Sequence, residues 1–560
     1  MSAIIDPRQR ARERQAVEKP DFSAVILVGT GDNLYPFNQG TNVLPKALMP
    51  VGNVAAINLV LDWVFAAGLT DILVIVPPSS EASVSEYLHQ SYNTESHPRA
   101  RISLKSYADG EDDDEEADPM EMEERAGTAR LLKRFRSLIK TDFVLLPCDI
   151  SFPSTLTLAS ILDKHRATPD AVMTSVFYEA PEAIKENEEK MLVATDKETD
   201  ELLLITPLET LEAEDDLELR TSLIARHPTL SLSTRLLDAH VYVFRRTVLD
   251  LLATRRSKDL SSVREQFVPW LVKGAWQSGL GHEWTPILCP PRRDPLSLAL
   301  SRSVAMPWEQ AALLDQSSCP GSAASENAPL PATSTGEELA AFKAAVSKSG
   351  KTRRRSARDN VPWTCRVVIS KPPTPAPVAA AAAAPAKGGN KGKQSPGPEP
   401  EYLVRANSLA GYWEINRRLV RALGAANAGQ APGGVANVGV SAATGAAPAA
   451  ATAADEIADS AQISPDSLVG DGVRVGDRAS IKKCIVGRHC NIGRGAKLTG
   501  CVLWDWVTVE DNARLENVIL CGNVRIGEKA QIKDCEFGPG FEALPGAVLK
   551  GERLIAGQEA

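Results

Sequence analysis

A glycine-rich turn, Gly29-Thr30-Gly31-Asp32-Asn33-Leu34-Tyr35-Pro36, directly follows the mostly apolar run Phe22–Val28. In an α/β sheet such a turn lies beyond the carboxyl end of its strand, where exposed backbone N–H groups suit a phosphate. This is the one place in the chain where residue types and spacing point to a small-molecule site. None of the seven His residues falls in a metal-ligand spacing. His489 sits at a corner of a C-terminal repeat, a position some β-helix acyltransferases use. No coenzyme A signal accompanies it, and a lone His there reads as surface decoration. The nine cysteines include no CxxC pair, so buried free thiols are expected rather than disulfides or a zinc site.

The elements that would position the loop follow a strand-then-helix pattern. After Pro50 the residues Ala55–Ala67 predict a helix with Leu59, Val60, Trp63 and Val64 on one face, ended by Gly68. Strands are expected at Asp71–Val76, Arg101–Ser106, Asp142–Leu146, Ala171–Phe177 and Ala239–Phe244, with helices at Thr128–Lys140 and Arg246–Leu252. This alternation predicts a doubly wound α/β domain over residues 21–290.

The last hundred residues carry a different signal. Val469, Val486, Leu503, Leu520 and Phe537 are each seventeen apart. The same spacing relates Val475, Ile492, Val509 and Ile526, and again Ile481, Leu498, Leu515 and Ile532. Within a unit the apolar positions are six, six and five apart, the mark of a hexapeptide-type parallel β-helix over 461–555 with these residues as its core. A fourth column, Cys484, Cys501, Val518 and Cys535, holds small apolar residues before each shortened side.

Between and around these units the composition shifts. The first twenty residues are expected to be a disordered tail, with no apolar stretch of the kind a signal peptide needs. Residues 109–124 hold eleven acidic residues in sixteen and predict a solvated insert. Residues 291–360 read as a Ser/Ala/Pro-rich linker ending in the basic run Lys351–Arg355. Residues 372–400 and 424–460 read as low-complexity, disordered segments. In 361–423 a strand-like Trp363–Ile369 and a short amphipathic helix through Tyr412, Ile415 and Leu419 suggest a bridge docking the two folded units. A net charge of −9 argues against coating nucleic acid, and no apolar run approaches a membrane span, so a soluble cytosolic chain is expected.

The Gly29–Pro36 turn with Leu44-Pro-Lys46-Ala-Leu-Met-Pro-Val51 resembles the signature of the sugar-nucleotidyltransferase (pyrophosphorylase) family. That signature is Gly-Gly-x-Gly-Thr-Arg-Leu-x-Pro followed by Pro-Lys-Pro-Leu. Gly127-Thr128-Ala129 resembles the family's base-contacting segment, and Leu146-Pro-Cys-Asp149 its metal-binding strand end. The departures matter more. Val28 replaces the first Gly, and Asp32-Asn33 replace the Thr-Arg pair that the resemblance assigns to gripping the triphosphate. Contacts of that kind are worth about 2–4 kcal/mol each in a transition state, and Asp32 sets a carboxylate where polyphosphate should sit. Asp238-Ala-His240 stands where the family has Asn-x-Gly on its sugar side. Gly29, Gly31, Asp32, Asn33, Lys46, Gly127, Thr128 and Asp149 therefore read as a vestigial nucleotide loop, with no catalytic residue, no resident metal and no cofactor. Alternatively, Lys46 caps a loop and Asp149 caps a helix.

A degenerate domain of this kind ahead of a hexapeptide β-helix is similar to the γ and ε subunits of the guanine-nucleotide exchange factor for translation initiation factor 2. The stretch Arg405-Ala-Asn-Ser-Leu-Ala-Gly-Tyr-Trp-Glu-Ile-Asn-Arg417 favours γ, and so does the absence after the last coil of the helical exchange domain that ε carries. The resemblance implies a non-enzymatic subunit that partners an ε-type subunit, the rest of a hetero-oligomeric complex, and the GTP-binding subunit of initiation factor 2. It implies neither membrane nor direct nucleic-acid binding. The alternative is an active mannose-1-phosphate guanylyltransferase or related pyrophosphorylase.

Overall fold

The computed structural model describes residues 21–40, 43–92, 97–107, 127–179, 190–214, 217, 219–254, 260–290, 361–371, 401–426 and 456–557. The expected tail 1–20, the acidic insert 109–124, the linker 291–360 and the segment 372–400 lie outside these residues, as does most of 424–460.

Seven strands build the main sheet: β1 (Phe22–Leu27), β2 (Asp71–Val76), β3 (Arg101–Ser106), β4 (Asp142–Pro147), β5 (Ala171–Glu179), β6 (Leu236–Phe244) and β7 (Thr364–Ser370). Their order across the sheet is β7-β5-β6-β4-β1-β2-β3. Strands β3, β2, β1 and β4 run parallel, and the near-continuous apolar runs of β2, β1 and β4 are buried as such a sheet requires, whereas the edge strand β3 is largely half-buried or exposed. The parallel run ends at β6, which is antiparallel to both β4 and β5. That strand returns from a small sheet formed by Met191–Asp196, Leu202–Pro207 and Leu230–Ser233 rather than from a crossover helix. Strand β7 comes from the expected bridging segment and adds to the sheet edge parallel to β5.

Apolar cores lie on both faces of this sheet. The helix Ala56–Ala66 buries Ala56, Ile57, Val60, Leu61 and Val64, so its inner stripe is offset from the expected one. Leu59 and Trp63 remain half-buried at its flank. The expected helix Thr128–Lys140 stops at Arg134 and tightens into a 3-10 turn, Phe135–Ser137, in a stretch that buries both Phe135 and Ile139.

The C-terminal unit is three parallel sheets of six strands each, so six coils stack along one axis. The three inward columns are buried at 7% exposure or less. The first coil begins at Glu456, inside the stretch expected to be linker. Its Ile457 and Ile463 pair with Val475 and Ile481, eighteen residues on, so a strict seventeen-residue period misses them. Gly424–Ala426, also expected as linker, continue a helix that spans Leu409–Ala426. Corners allow the coils to approach closely: a Cβ on Gly487 would lie 2.5 Å from the Trp504 carbonyl carbon. The Cys column sits in the core, where the Cys501 N–H donates to Cys484 Sγ at 3.4 Å, and all eight described cysteines are free.

One face of the β-helix is not solvated. Beside the inward Val469, Val486, Leu503 and Leu520 run the outward Leu468, Ile485, Val502 and Ile519, all buried. They belong to the same core as Tyr412, Trp413, Ile415 and Val420 of the helix Leu409–Ala426, which in turn packs on Met49 and Val51 of the first unit. Trp504 Nε1 donates to the Tyr412 hydroxyl at 2.9 Å, and that hydroxyl donates to the Pro50 carbonyl at 2.5 Å. The two units share one apolar core through this helix.

Candidate functional site

Strand β4 ends at Pro147, and two residues later Asp149 is 2% exposed. A buried carboxylate needs partners, and this one has two cations. Lys46 Nζ lies 2.8 Å from Asp149 Oδ2, and Arg405 Nη2 lies 3.3 Å from Oδ1 and 3.4 Å from Oδ2. Lys46 reaches in from a 3-10 turn, Lys46–Leu48, and also donates to Asn407 Oδ1 at 2.6 Å. Arg405 arrives from the far side of the long insert: Val404–Arg405 pairs antiparallel with Ile150–Ser151, and the Ala406 N–H donates to the Asp149 carbonyl at 2.7 Å. Burial by itself would raise the Asp149 carboxyl, but Arg405 and then Lys46 reverse this and hold it well below the usual carboxylate range. Burial pushes the neighbouring Cys148 thiol up to about 12.

These residues do not fit a divalent cation. Both Asp149 oxygens already face positive charge, and no group of three or more metal-ligating side chains occurs among the described residues. Asp149 caps no helix either; the next helix, Leu158–Ala167, is capped by Thr157. Lys46 is a member of the ion triad rather than a loop cap.

The glycine-rich turn borders a cleft of about 340 Å³ at the ends of β1 and β2, lined by Gly29, Gly31, Lys46 and Ser80 among others. Gly31 takes a left-handed φ of 86° and precedes a 3-10 turn, Asp32–Leu34. Asp32 and Asn33 are exposed, and Asp32 Oδ2 accepts from the Thr30 hydroxyl at 2.8 Å. Gly127 and Thr128 face another way. A Cβ on Gly127 would lie 2.4 Å from the Ser261 carbonyl oxygen, and Thr128 Oγ1 accepts from the Val263 N–H at 2.9 Å. Lys46 and Asp149 thus meet directly and Lys46 borders the turn, whereas Gly127 and Thr128 pack on the 261–263 segment.

A second cleft, about 510 Å³, lies where the first unit, the helix Leu409–Ala426 and the β-helix meet. Asn33, His240, Arg264, Arg405, Trp413 and Arg553 border it. On its wall β6 is irregular between Asp238 and Tyr242, with His240 at a φ of 56°. The Tyr242 hydroxyl and the His240 N–H donate to Asp238, whose carboxyl is pushed up by burial. His489 is a corner residue of the β-helix whose ring stacks on Trp506 at 4.3 Å.

Arg405 was legible only as part of a motif, since nothing in the sequence brings it to Asp149 across 256 residues. Its position depends on close packing: a Cβ on Gly411 would lie 1.9 Å from the Arg405 carbonyl oxygen. Gly411→Ala is expected to push the 404–406 segment off Asp149 and to destabilise the fold by about 1–3 kcal/mol, read by urea unfolding.

Residues 23–188 match the family model described as nucleotidyl transferase, and residues 452–537 match the one described as EIF2B subunit epsilon LbH domain. The first unit is therefore a nucleotidyltransferase domain and the second a left-handed β-helix. A Schizosaccharomyces pombe protein named translation initiation factor eIF2B subunit gamma is 32% identical over 286 residues, 49% of this chain and 57% of its own length. The chain is similar to eIF2B gamma subunits. A Caenorhabditis elegans gamma subunit is 26% identical over 45% of this chain and 58% of its own, and a Dictyostelium discoideum one 19% over 41% and 52%. The chain thus matches a little over half the length of each gamma subunit. No helix among the described residues is long and apolar enough to cross a membrane.

Proposed function

We propose that this chain is a non-catalytic gamma-type subunit of a cytosolic guanine-nucleotide exchange factor. In this reading it acts with an epsilon-type subunit and the rest of a hetero-oligomer to promote GDP/GTP exchange on initiation factor 2. The similarity to gamma subunits supports the assignment, and the ion triad at Asp149 carries the non-catalytic part. A nucleotidyltransferase needs that carboxylate to hold a cation against the phosphates. Here Arg405 and Lys46 neutralise it from within the chain, and the exposed Asp32 adds a carboxylate to the turn in which the family resemblance expects a triphosphate-gripping cation.

Exchange needs no reactive residue. A partner that stabilises the nucleotide-free state of a GTP-binding protein does so through its interface, by differential affinity for two states. The fused units then act as one rigid body that presents surfaces, with Gly29, Gly31, Asp32, Asn33, Lys46, Gly127, Thr128 and Asp149 as remnants of a nucleotide site. Purified protein incubated with GTP or UTP, Mg²⁺ and mannose 1-phosphate is expected to release no pyrophosphate above background. Turnover at ordinary enzyme rates, about 1 s⁻¹ or more, overturns the reading in favour of a guanylyltransferase. Copurification from the source cells with an epsilon-type subunit and initiation factor 2 is the complementary expectation.

A further inference from the structure

The three faces of the β-helix differ in chemistry. The face carrying Leu468, Ile485, Val502 and Ile519 is covered by the chain itself. On the face of Arg474–Val475 and its stacked strands, the outward Arg474, Asn491, Thr508, Arg525 and Glu542 mix both signs. The remaining face is one-sided. Its strands Ser480–Lys482, Lys497–Thr499, Arg514–Glu516, Gln531–Lys533 and Val548–Lys550 point their central residue inward and their flanking residues outward. Those outward positions carry five cations, Lys482, Lys497, Arg514, Lys533 and Lys550, and one carboxylate, Glu516.

The register stacks like on like. Lys497 stands directly opposite Arg514, and Lys533 opposite Lys550. Neighbouring strands are about 4.8 Å apart, and like charges directly opposite each other are destabilising. Glu516, 3.1 Å from Lys533, relieves only part of this. In a chain with a net charge of −9, such a ladder is a local cost without a structural return. Where the ladder ends, Val548, on the same strand as Lys550, and Leu544 are 74% and 63% exposed, large values for apolar side chains.

We infer that this face docks a protein partner through an acidic surface, with Leu544 and Val548 as the apolar contact at its edge. Charge complementarity supplies the argument for the partner's sign, and the apolar edge argues for a protein. A polynucleotide is a poorer occupant: no outward position on these strands is aromatic, so bases have nothing to stack on, and Glu516 interrupts the path of a phosphate backbone. The inference rests on the proposed assembly only in locating the partner there.

The test uses the full chain in its native assembly, purified from the source cells and treated with a zero-length carbodiimide. Cross-links from Lys482, Lys497, Lys533 or Lys550 to Asp or Glu of another subunit are expected. The same four lysines should be acetylated at least fivefold more slowly than in the isolated chain, with or without ribonuclease. Equal acetylation in both states, or protection that ribonuclease abolishes, overturns the inference. The double variant K497E/K550E should weaken the assembly at least tenfold while its unfolding midpoint stays level or rises, because both like-charge pairs are relieved and the Lys533–Glu516 ion pair is kept. A midpoint that falls together with assembly would mark a merely structural role and also overturn it. Failure of the exchange-factor reading is read separately, from the names of the subunits that carry the cross-links.

Discussion

Arg405→Met is expected to lower the unfolding free energy by about 3–5 kcal/mol, because it strands most of the charge of a carboxylate that is 2% exposed. Lys46 alone then faces Asp149, and burial, which opposes ionisation, is no longer overcome to the same degree. Asp149→Asn should cost a similar amount for the opposite reason, leaving two buried cations without their anion. The triple variant K46M/D149L/R405M should recover part of the loss, since well-packed apolar groups can replace a buried ion cluster at little cost. The triad also sets the acid limb. Asp149 has its folded pKa below the unfolded value of about 3.9. Its stabilisation is therefore fully present above about pH 4 and is lost as pH falls towards the folded value. Urea midpoints measured from pH 7 to pH 3 should fall more steeply for the wild type than for D149N. Parallel curves would show that the triad does not stabilise the fold.

The second large effect is expected at the junction of the two units. Ile519→Asp puts an unpaired carboxylate at a site with 0% exposure, between the β-helix and the helix Leu409–Ala426. Trp504→Ala removes a side chain that is 1% exposed, together with its hydrogen bond to Tyr412, at a cost of about 3–5 kcal/mol. Both changes spare the inward columns, so the coils themselves should survive. Calorimetry should therefore show a nucleotidyltransferase-domain transition that separates from, and precedes, that of the β-helix. Asn491→Asp, on an exposed strand position of another face, should stay within about 0.5 kcal/mol of wild type. If Ile519→Asp behaved like Asn491→Asp, the two units would not share a core.

Much of this architecture could be read from spacing. Inward columns seventeen residues apart and apolar runs after turn signals are local properties, and local periodicity maps directly onto coils and strands. The outward column Leu468, Ile485, Val502 and Ile519 was equally periodic; an apolar residue on both sides of a strand is the signal that a face is covered. The eighteen-residue first coil escaped because a count tuned to seventeen drops a coil with one residue more. The switch of β6 to antiparallel escaped for another reason. A strand's direction depends on how its connection returns to the sheet, and the described helices of that connection, Leu208–Glu214 and Thr221–Arg226, are too short to force a crossover.

The sequence by itself determined the two folds, and it places Asn33 where the family resemblance expects an Arg, because each is written in residues within a few positions of one another. Only the tertiary structure decided what became of the strand end at Asp149. A carboxylate there is equally a metal ligand, a helix cap or half of an ion pair until its neighbours in space are known. Arg405, 256 residues away in sequence, and Lys46 are brought to it by β-pairing and by the close seat of Gly411. Burial makes the arrangement decisive: in a low-dielectric interior a charge takes whichever partners the fold supplies, and here the fold supplies two cations of its own.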